Sequence, residues 1–150
     1  MRLDKLTTKF QEALGEAQSL ALGHDHAYIE PLHVLAAMLR QQDGPGALLQ
    51  RAGVQLPALA QAAEAGVKRL PQVSGQEQVQ VGPELVKLLQ AAEKESIKRG
   101  DSFVASELFL LALALVGAIL SFRLGRLIRR HISLAVCVAS SWLNSAYFLK

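Results

Sequence analysis

Apolar residues recur at helical spacing near the start of the chain. Between residues 6 and 21 they fall three, four or seven positions apart, which predicts an amphipathic helix. Gly23 follows, and we expect it to end this helix in a left-handed conformation. A second helix is predicted from Glu30-Pro31, because proline is well tolerated in a first helical turn. The apolar positions of the first helix are Leu6, Phe10, Ala13, Leu14, Ala17 and Ala21.

The same order of signals returns later in the chain. A helix is predicted from Pro83 through residues 98–99, where two cations favour the last turn and Gly100 follows as a stop. Its partner helix is expected to begin near Ser106-Glu107. Two shorter helices are predicted between these pairs, over residues 46–53 and 56–70.

An internal repeat accounts for this recurrence. Moving position 10 onto position 85, an offset of 75, aligns apolar residues of the two helical pairs. We therefore predict an all-α fold of two pseudo-repeats, at about 5–53 and 83–114, with a groove where they meet. Residues 71–82 are predicted to be the linker because they lack a helical stripe. The aligned pairs include Phe10 with Leu85, Ala13 with Leu88, Ala17 with Ala92, Tyr28 with Phe103, and Leu35 with Leu110.

Composition supports helices and narrows the functional classes. The chain is 51% apolar but only 5% aromatic, which favours helix over sheet. The net charge of +3 is uneven, because residues 1–114 hold 11 basic and 13 acidic residues. Residues 115–150 hold five basic residues and no acid, so the chain as a whole does not fit a nucleic-acid-binding protein. Cys137 alone excludes an internal disulfide, and the polar start favours the cytoplasm.

Sequence motifs for catalysis are missing. There is no G-x-x-x-x-G-K-[ST] phosphate loop, H-E-x-x-H or G-x-S-x-G motif, so we expect neither enzymatic activity nor a cofactor. His24, His26 and His33, with Asp25 and Glu30, were weighed as a metal site. They surround a helix end, where solvated and capping residues are common, and we expect no metal there.

Four segments resemble the N-terminal domain of the Clp chaperones, in particular that of the ClpB protein disaggregase family. The resemblance covers residues 1–114 and implies about eight helices in two pseudo-repeats. It also implies a mobile, non-enzymatic module that engages unfolded or aggregated protein for a hexameric AAA+ motor, whose modules this sequence lacks. The segments are MRLDKLTTKF (1–10), AQSLALGHDHAYIEPLHVL (17–35), RLPQVSG (69–75) and KRGDSFVASELF (98–109).

The resemblance also implies a substrate site. Its polar rim would be Thr7, Asp101 and Glu107, and its apolar groove would include Leu89 and Leu108. Structural roles stay open for each: Thr7 in a first helical turn, Asp101 ordering a loop, Glu107 favoured at a helix N-terminus, and the leucines in the core.

The resemblance stops near residue 114, and the second repeat lacks its closing helices. Residues 115–150 have three open interpretations: an out-of-frame or fused end, a membrane anchor over the uncharged run 132–149, or a basic amphipathic helix around 123–130. The anchor would make the chain a membrane-tethered helical adaptor, the alternative to a substrate-binding module. A related protease-partner domain, which docks adaptor proteins, is disfavoured by residues 23–25 and 70–73.

Overall fold

The computed structural model describes residues 3–42, 44–73 and 78–117. Its described part is helical, as predicted, with two very short strands. The α-helices are α1 (Thr8–Gly23), α2 (Pro31–Arg40), α3 (Gly46–Arg51), α4 (Leu56–Lys68), α5 (Pro83–Arg99) and α6 (Ser106–Gly117). A 3-10 turn spans Leu3–Lys5, and the strands are β1 (Tyr28–Ile29) and β2 (Gln80–Val81).

Helix α1 begins and ends with local hydrogen bonds. Thr7 is its N-cap, and the Thr7 hydroxyl accepts a hydrogen bond from the Phe10 backbone N–H at 3.4 Å. The prediction for Gly23 was wrong, because Gly23 is still helical and Asp25 takes the left-handed conformation, with φ at 54°. Aspartate tolerates this conformation better than most residues. The turn is closed by the His26 N–H, which donates to the Ala21 carbonyl at 2.9 Å.

The end of α5 has the same geometry at the equivalent positions. Gly100 is left-handed with φ at 74°, and the Asp101 N–H donates to the Ser96 carbonyl at 3.0 Å. The offset of 75 maps Asp25 onto Gly100 and His26 onto Asp101. The predicted end of this helix at residues 98–100 is therefore confirmed. The two repeats also share the backbone conformation of the turn after their first helix.

Helix α2 lies at the centre of the molecule. Glu30 is its N-cap and Pro31 its first residue, as predicted. Residues 31–38 are buried around the whole circumference of the helix, which is typical of a helix enclosed by others. Helices α1 and α4 pack against α2, and α5 and α6 of the second repeat also contact it.

The two repeats exchange short strands. Ile29 pairs with Val81 in the parallel β1–β2 ladder, and Leu6 forms a parallel bridge with Val104. Offset by 75, Leu6 corresponds to Val81 and Val104 to Ile29. The residues before the first helix of each repeat thus pair with the loop before the second helix of the other. Sequence analysis missed β2, which lies in the predicted linker 71–82, because a two-residue strand has no periodicity to detect.

The exchange joins both repeats in one hydrophobic core. The ring centroids of Phe10 in α1 and Phe109 in α6 lie 5.4 Å apart, and both rings are fully buried. Aromatic pairs at this separation stabilise a core beyond the area they bury.

The interpretations of the tail concern residues that mostly lie outside the described part. This holds for both the uncharged run 132–149 and the basic segment 123–130. Within residues 3–42, 44–73 and 78–117, the helices are too short or too polar to cross a membrane.

Candidate functional site

The strand exchange places Thr7 beside the loop that carries the two predicted acidic residues. The Thr7 N–H donates to the Val104 carbonyl at 3.1 Å, and the Val104 N–H donates to the Lys5 carbonyl at 2.8 Å. Asp101 lies three residues before Val104 and Glu107 three residues after it. The structure therefore brings the predicted rim residues to one region, although Thr7 is about a hundred positions away from the others along the chain.

Thr7 is half-buried and already caps α1. Its oxygen accepts from Phe10, but a hydroxyl carries one donor and two acceptor lone pairs. It can therefore cap the helix and still donate its proton to another group.

Asp101 and Glu107 both expose their side chains to solvent. Asp101 is held through its backbone, because its N–H donates to the Ser96 carbonyl and its own carbonyl accepts from the Ser96 hydroxyl at 3.1 Å. Glu107 lies in the first turn of α6, where the helix dipole stabilises a carboxylate. The backbone that carries the two carboxylates is thus held by the end of one helix and the start of the next.

Ser96 is a positioning residue that sequence analysis missed. It is only 3% exposed, and its hydroxyl lies within hydrogen-bond distance of both the Asp101 carbonyl (3.1 Å) and the Phe103 carbonyl (3.4 Å). A buried hydroxyl that can donate its proton to either of two loop carbonyls restrains the segment between them. The available signal was a serine at an apolar position of the α5 stripe, where the first repeat has Ala21.

The predicted groove residues lie in the core. Leu89 is 7% exposed and Leu108 is 5% exposed, because α5 and α6 pack face to face. The exposed apolar surface of this region comes instead from Ile97, at 66%, and Phe103, at 56%. Sequence analysis did not single these residues out, because an apolar residue at a helix end has no pattern that distinguishes a covered side chain from an open one.

The equivalent end of the other repeat has a different character. Gly82, His26 and Leu32 stand where Thr7, Asp101 and Glu107 stand at an offset of 75. His26 and Leu32 are buried, and none of the three is acidic. An exposed carboxylate at each of these two positions therefore distinguishes one of the two pseudo-equivalent ends.

The histidines near the first loop are structural. His26 and His33 are both buried, so the expectation that His26 is a solvated loop residue was wrong, whereas His33 does take a capping role. Burial lowers the pKa of His33 to about 4, with a further contribution from His26. Burial, then the charge of His24, also lowers the pKa of His26. In the described ranges, groups of three or more His, Cys, Asp or Glu with metal-site geometry were not found.

A model of the Clp repeat (R) N-terminal domain matches residues 5–121. The chain belongs to this family. The resemblance inferred from the four sequence segments is thus confirmed, and the match places the chain among the N-terminal domains of ClpB-like chaperones. This domain is not itself the catalytic part of such proteins. The predicted domain boundary at 114 stays a prediction.

Curated relatives are ClpB chaperones. The chaperone protein ClpB of Dichelobacter nodosus is 47% identical over 110 residues, which cover 72% of this chain and 13% of the relative. The ClpB of Vibrio cholerae serotype O1 is 44% identical over 114 residues, covering 75% of this chain and 13% of the relative. The chain therefore spans about 13% of the length of these relatives.

Solved structures share the fold. The Hsp104 N-terminal domain of Candida albicans superposes with a TM-score of 0.75 at 20% identity, covering 89% of this chain and 87% of that one. A ClpV N-domain in complex with a VipB peptide superposes with a TM-score of 0.65 at 22% identity, covering 89% of this chain and 88% of that one. These likenesses establish the fold of the Clp repeat domain for this chain.

Proposed function

We propose that this chain is the substrate-recognition module of a ClpB-like, ATP-dependent disaggregase. It binds exposed apolar segments of unfolded or aggregated protein at a surface defined by Thr7, Asp101 and Glu107. The AAA+ motor belongs to a longer protein that carries this domain. The observation that supports the proposal most directly is the strand exchange at Val104, which sets Thr7 beside a loop with two exposed carboxylates.

The chemistry of this surface suits an unfolded chain. An extended segment offers free backbone N–H groups, and the carboxylates of Asp101 and Glu107 are strong acceptors for them. Phe103 on the same loop and Ile97 near the end of α5 expose apolar surface, where they can contact apolar side chains of the segment. Leu89 in α5 and Leu108 in α6 are buried, so they belong to the proposed site as core residues that support these helices.

The selectivity expected of this surface is low. Backbone N–H groups occur in every polypeptide, and two exposed apolar side chains do not select one sequence. A module that serves many unfolded proteins needs this property. The complex of a ClpV N-domain with a VipB peptide supports the proposal in one respect, since it shows that a domain of this fold binds a peptide.

Binding of a permanently unfolded model protein to residues 1–150 tests the proposal. We expect saturable binding, measured by fluorescence anisotropy, that falls at least tenfold in affinity in the double variant Asp101→Asn, Glu107→Gln. These changes keep the shape of both side chains and remove their charge. The matched control is Glu12→Gln, Glu16→Gln, which removes two exposed charges from α1. Equal losses in both variants, or no loss in the first, would refute a site at the rim.

A further inference from the structure

A buried pair of histidines joins the first loop to helix α2. The Nδ1 atom of His26 lies 2.7 Å from the Nε2 atom of His33. The Nδ1 atom of His33 lies 2.9 Å from the backbone nitrogen of Glu30, in a capping-box arrangement. His26 is 2% exposed and His33 is fully buried. The rim described above does not use these residues.

The hydrogen bonds determine where the ring protons are. The Glu30 N–H is a donor, so Nδ1 of His33 is unprotonated and the proton of His33 is on Nε2. That proton is donated to Nδ1 of His26, which places the His26 proton on its own Nε2. This last atom is buried and has no hydrogen-bond partner among the described residues.

A further proton cannot be added to either ring of the pair without breaking one of these hydrogen bonds. A proton on Nδ1 of His33 would face the Glu30 N–H, donor against donor. A proton on Nδ1 of His26 would face the Nε2–H of His33 in the same way. Either event breaks one of the two bonds and leaves a charge in a buried site, which is costly.

Glu30, whose side chain accepts from the His33 backbone N–H, favours protonation of His33, but burial and the charge of His26 oppose it more strongly. The other surrounding groups offer the charge little compensation. His24 stacks on His26 with ring centroids 5.6 Å apart, and its positive form opposes protonation of both rings. Asp25 favours protonation of His26, but it is the smallest of the contributions. The segments paired with the loop present the uncharged Gln72 and Gln80. The buried side chains that α1, α4, α5 and α6 contribute are uncharged.

The loop that the pair anchors also holds the second repeat. The Gln80 N–H donates to the Ala27 carbonyl at 3.1 Å, and the Gly82 N–H donates to the Ile29 carbonyl at 3.0 Å. These bonds form the β1–β2 exchange, one of the two exchanges that join the repeats. At the other exchange, Asp101 and Leu108 stand at the positions equivalent to His26 and His33, so that exchange lacks the pair.

We propose that the His26–His33 pair is an acid-sensitive latch whose protonation releases the β1–β2 exchange while the Leu6–Val104 exchange stays closed. Burial holds the pKa of His33 at about 4 in the closed state, below its ordinary value of 6.5. Protons therefore bind the open state more tightly. The latch is fully closed above about pH 6.5 and weakens as the pH falls toward 4. Of the two exchanges, the β1–β2 exchange is thus acid-labile and the Leu6–Val104 exchange is insensitive to these histidines.

Hydrogen exchange of residues 1–150 tests the latch. Protection factors, corrected for the intrinsic exchange rate at each pH, are compared at pH 7.5 and 5.0 by mass spectrometry. We expect protection over residues 28–30 and 80–82 to fall by about tenfold or more at pH 5.0, since each pH unit below 6.5 contributes up to about tenfold. Protection over residues 104–107 should change less than twofold. Equal loss at both exchanges, or at neither, would overturn the proposal.

Two variants separate the pair from the nearby histidine. His33→Asn retains an acceptor for the Glu30 N–H and removes one of the two rings of the pair, so protection over 28–30 and 80–82 should depend on pH much less than in the unchanged chain. His24→Asn removes the stacked ring but neither hydrogen bond, so it should keep most of the dependence. Each variant is compared with itself at the two pH values, so a general loss of stability does not obscure the result. The latch would be contradicted if protection in His33→Asn kept its full pH dependence, or if protection in His24→Asn lost it.

Discussion

The backbone N–H of Thr7 donates to the carbonyl of Val104 at 3.1 Å, and this bond has an equivalent between Gly82 and Ile29 at 3.0 Å. Each repeat therefore begins its first helix while bonded to the other repeat. Such an exchange makes the repeats dependent on each other for folding, since neither completes its own strand pair. It also explains how residues far apart in sequence come to one surface.

Ser96 is expected to support that surface. Changing Ser96 to Ala removes a buried hydroxyl that lies within hydrogen-bond distance of the Asp101 and Phe103 carbonyls, and should lower the free energy of unfolding by about 1 kcal/mol. Urea denaturation measures this change. Ser19→Ala is the matched control, because the exposed Ser19 hydroxyl donates to the Gly15 carbonyl of its own helix. The prediction is wrong if the two variants unfold at the same urea concentration.

Two glycines should respond to alanine with opposite signs. Gly100 has φ at 74°, so Gly100→Ala forces a strained backbone and should destabilise the domain by about 1–2 kcal/mol. Gly15 lies inside α1, where an added Cβ meets no atom within 4 Å, so Gly15→Ala should stabilise it by about 0.5–1 kcal/mol. Thermal unfolding followed by circular dichroism compares them. Changes of equal sign would contradict this account of the α5 end.

The helices were predictable because their signals are local. Pro31 and Pro83 fix helix starts, and Gly100 fixes an end, whatever lies on the other side of the core. Gly23 misled the analysis for the same reason. A glycine near a helix end is the common left-handed stop, but here the hydrogen bond from His26 to Ala21 extends the helix through Gly23 and shifts that conformation to Asp25.

The surface of the candidate site was less predictable because burial is not local. Leu108 and Phe103 are both apolar and five positions apart, yet the first is buried in the core and the second is exposed. The strand exchange likewise depends on pairs such as Leu6 and Val104, which no spacing along the chain connects. The rim residues could be named from the family resemblance, whereas Ser96 and the exposed apolar pair required the structure.

An alanine at Gly82 is expected to weaken the β1–β2 exchange. A Cβ at this position would lie 2.9 Å from the Ile29 carbonyl oxygen, which cannot move away without losing the bond from the Gly82 N–H. Gly82→Ala should therefore destabilise the domain by about 1–3 kcal/mol, measured by urea denaturation. Gly23→Ala is the control, since a Cβ there has open space in a helical segment. Equal effects of the two changes would mean that the exchange tolerates the added methyl group.

The last prediction separates the exposed apolar surface from the core beneath it. Phe103→Ser alters an exposed side chain and should leave the free energy of unfolding within about 0.5 kcal/mol, while weakening the binding of an unfolded model protein several-fold. Leu108→Ala removes a buried side chain and should cost about 2–5 kcal/mol of stability. At a temperature where the Leu108→Ala variant remains folded, its affinity for the unfolded protein should stay close to that of the unchanged chain. Urea denaturation and fluorescence anisotropy on the same two variants provide both readouts. The opposite result, in which the folded Leu108→Ala variant binds more weakly and Phe103→Ser does not, would contradict this prediction. Leu108 would then contact the bound protein, which requires α5 and α6 to move apart.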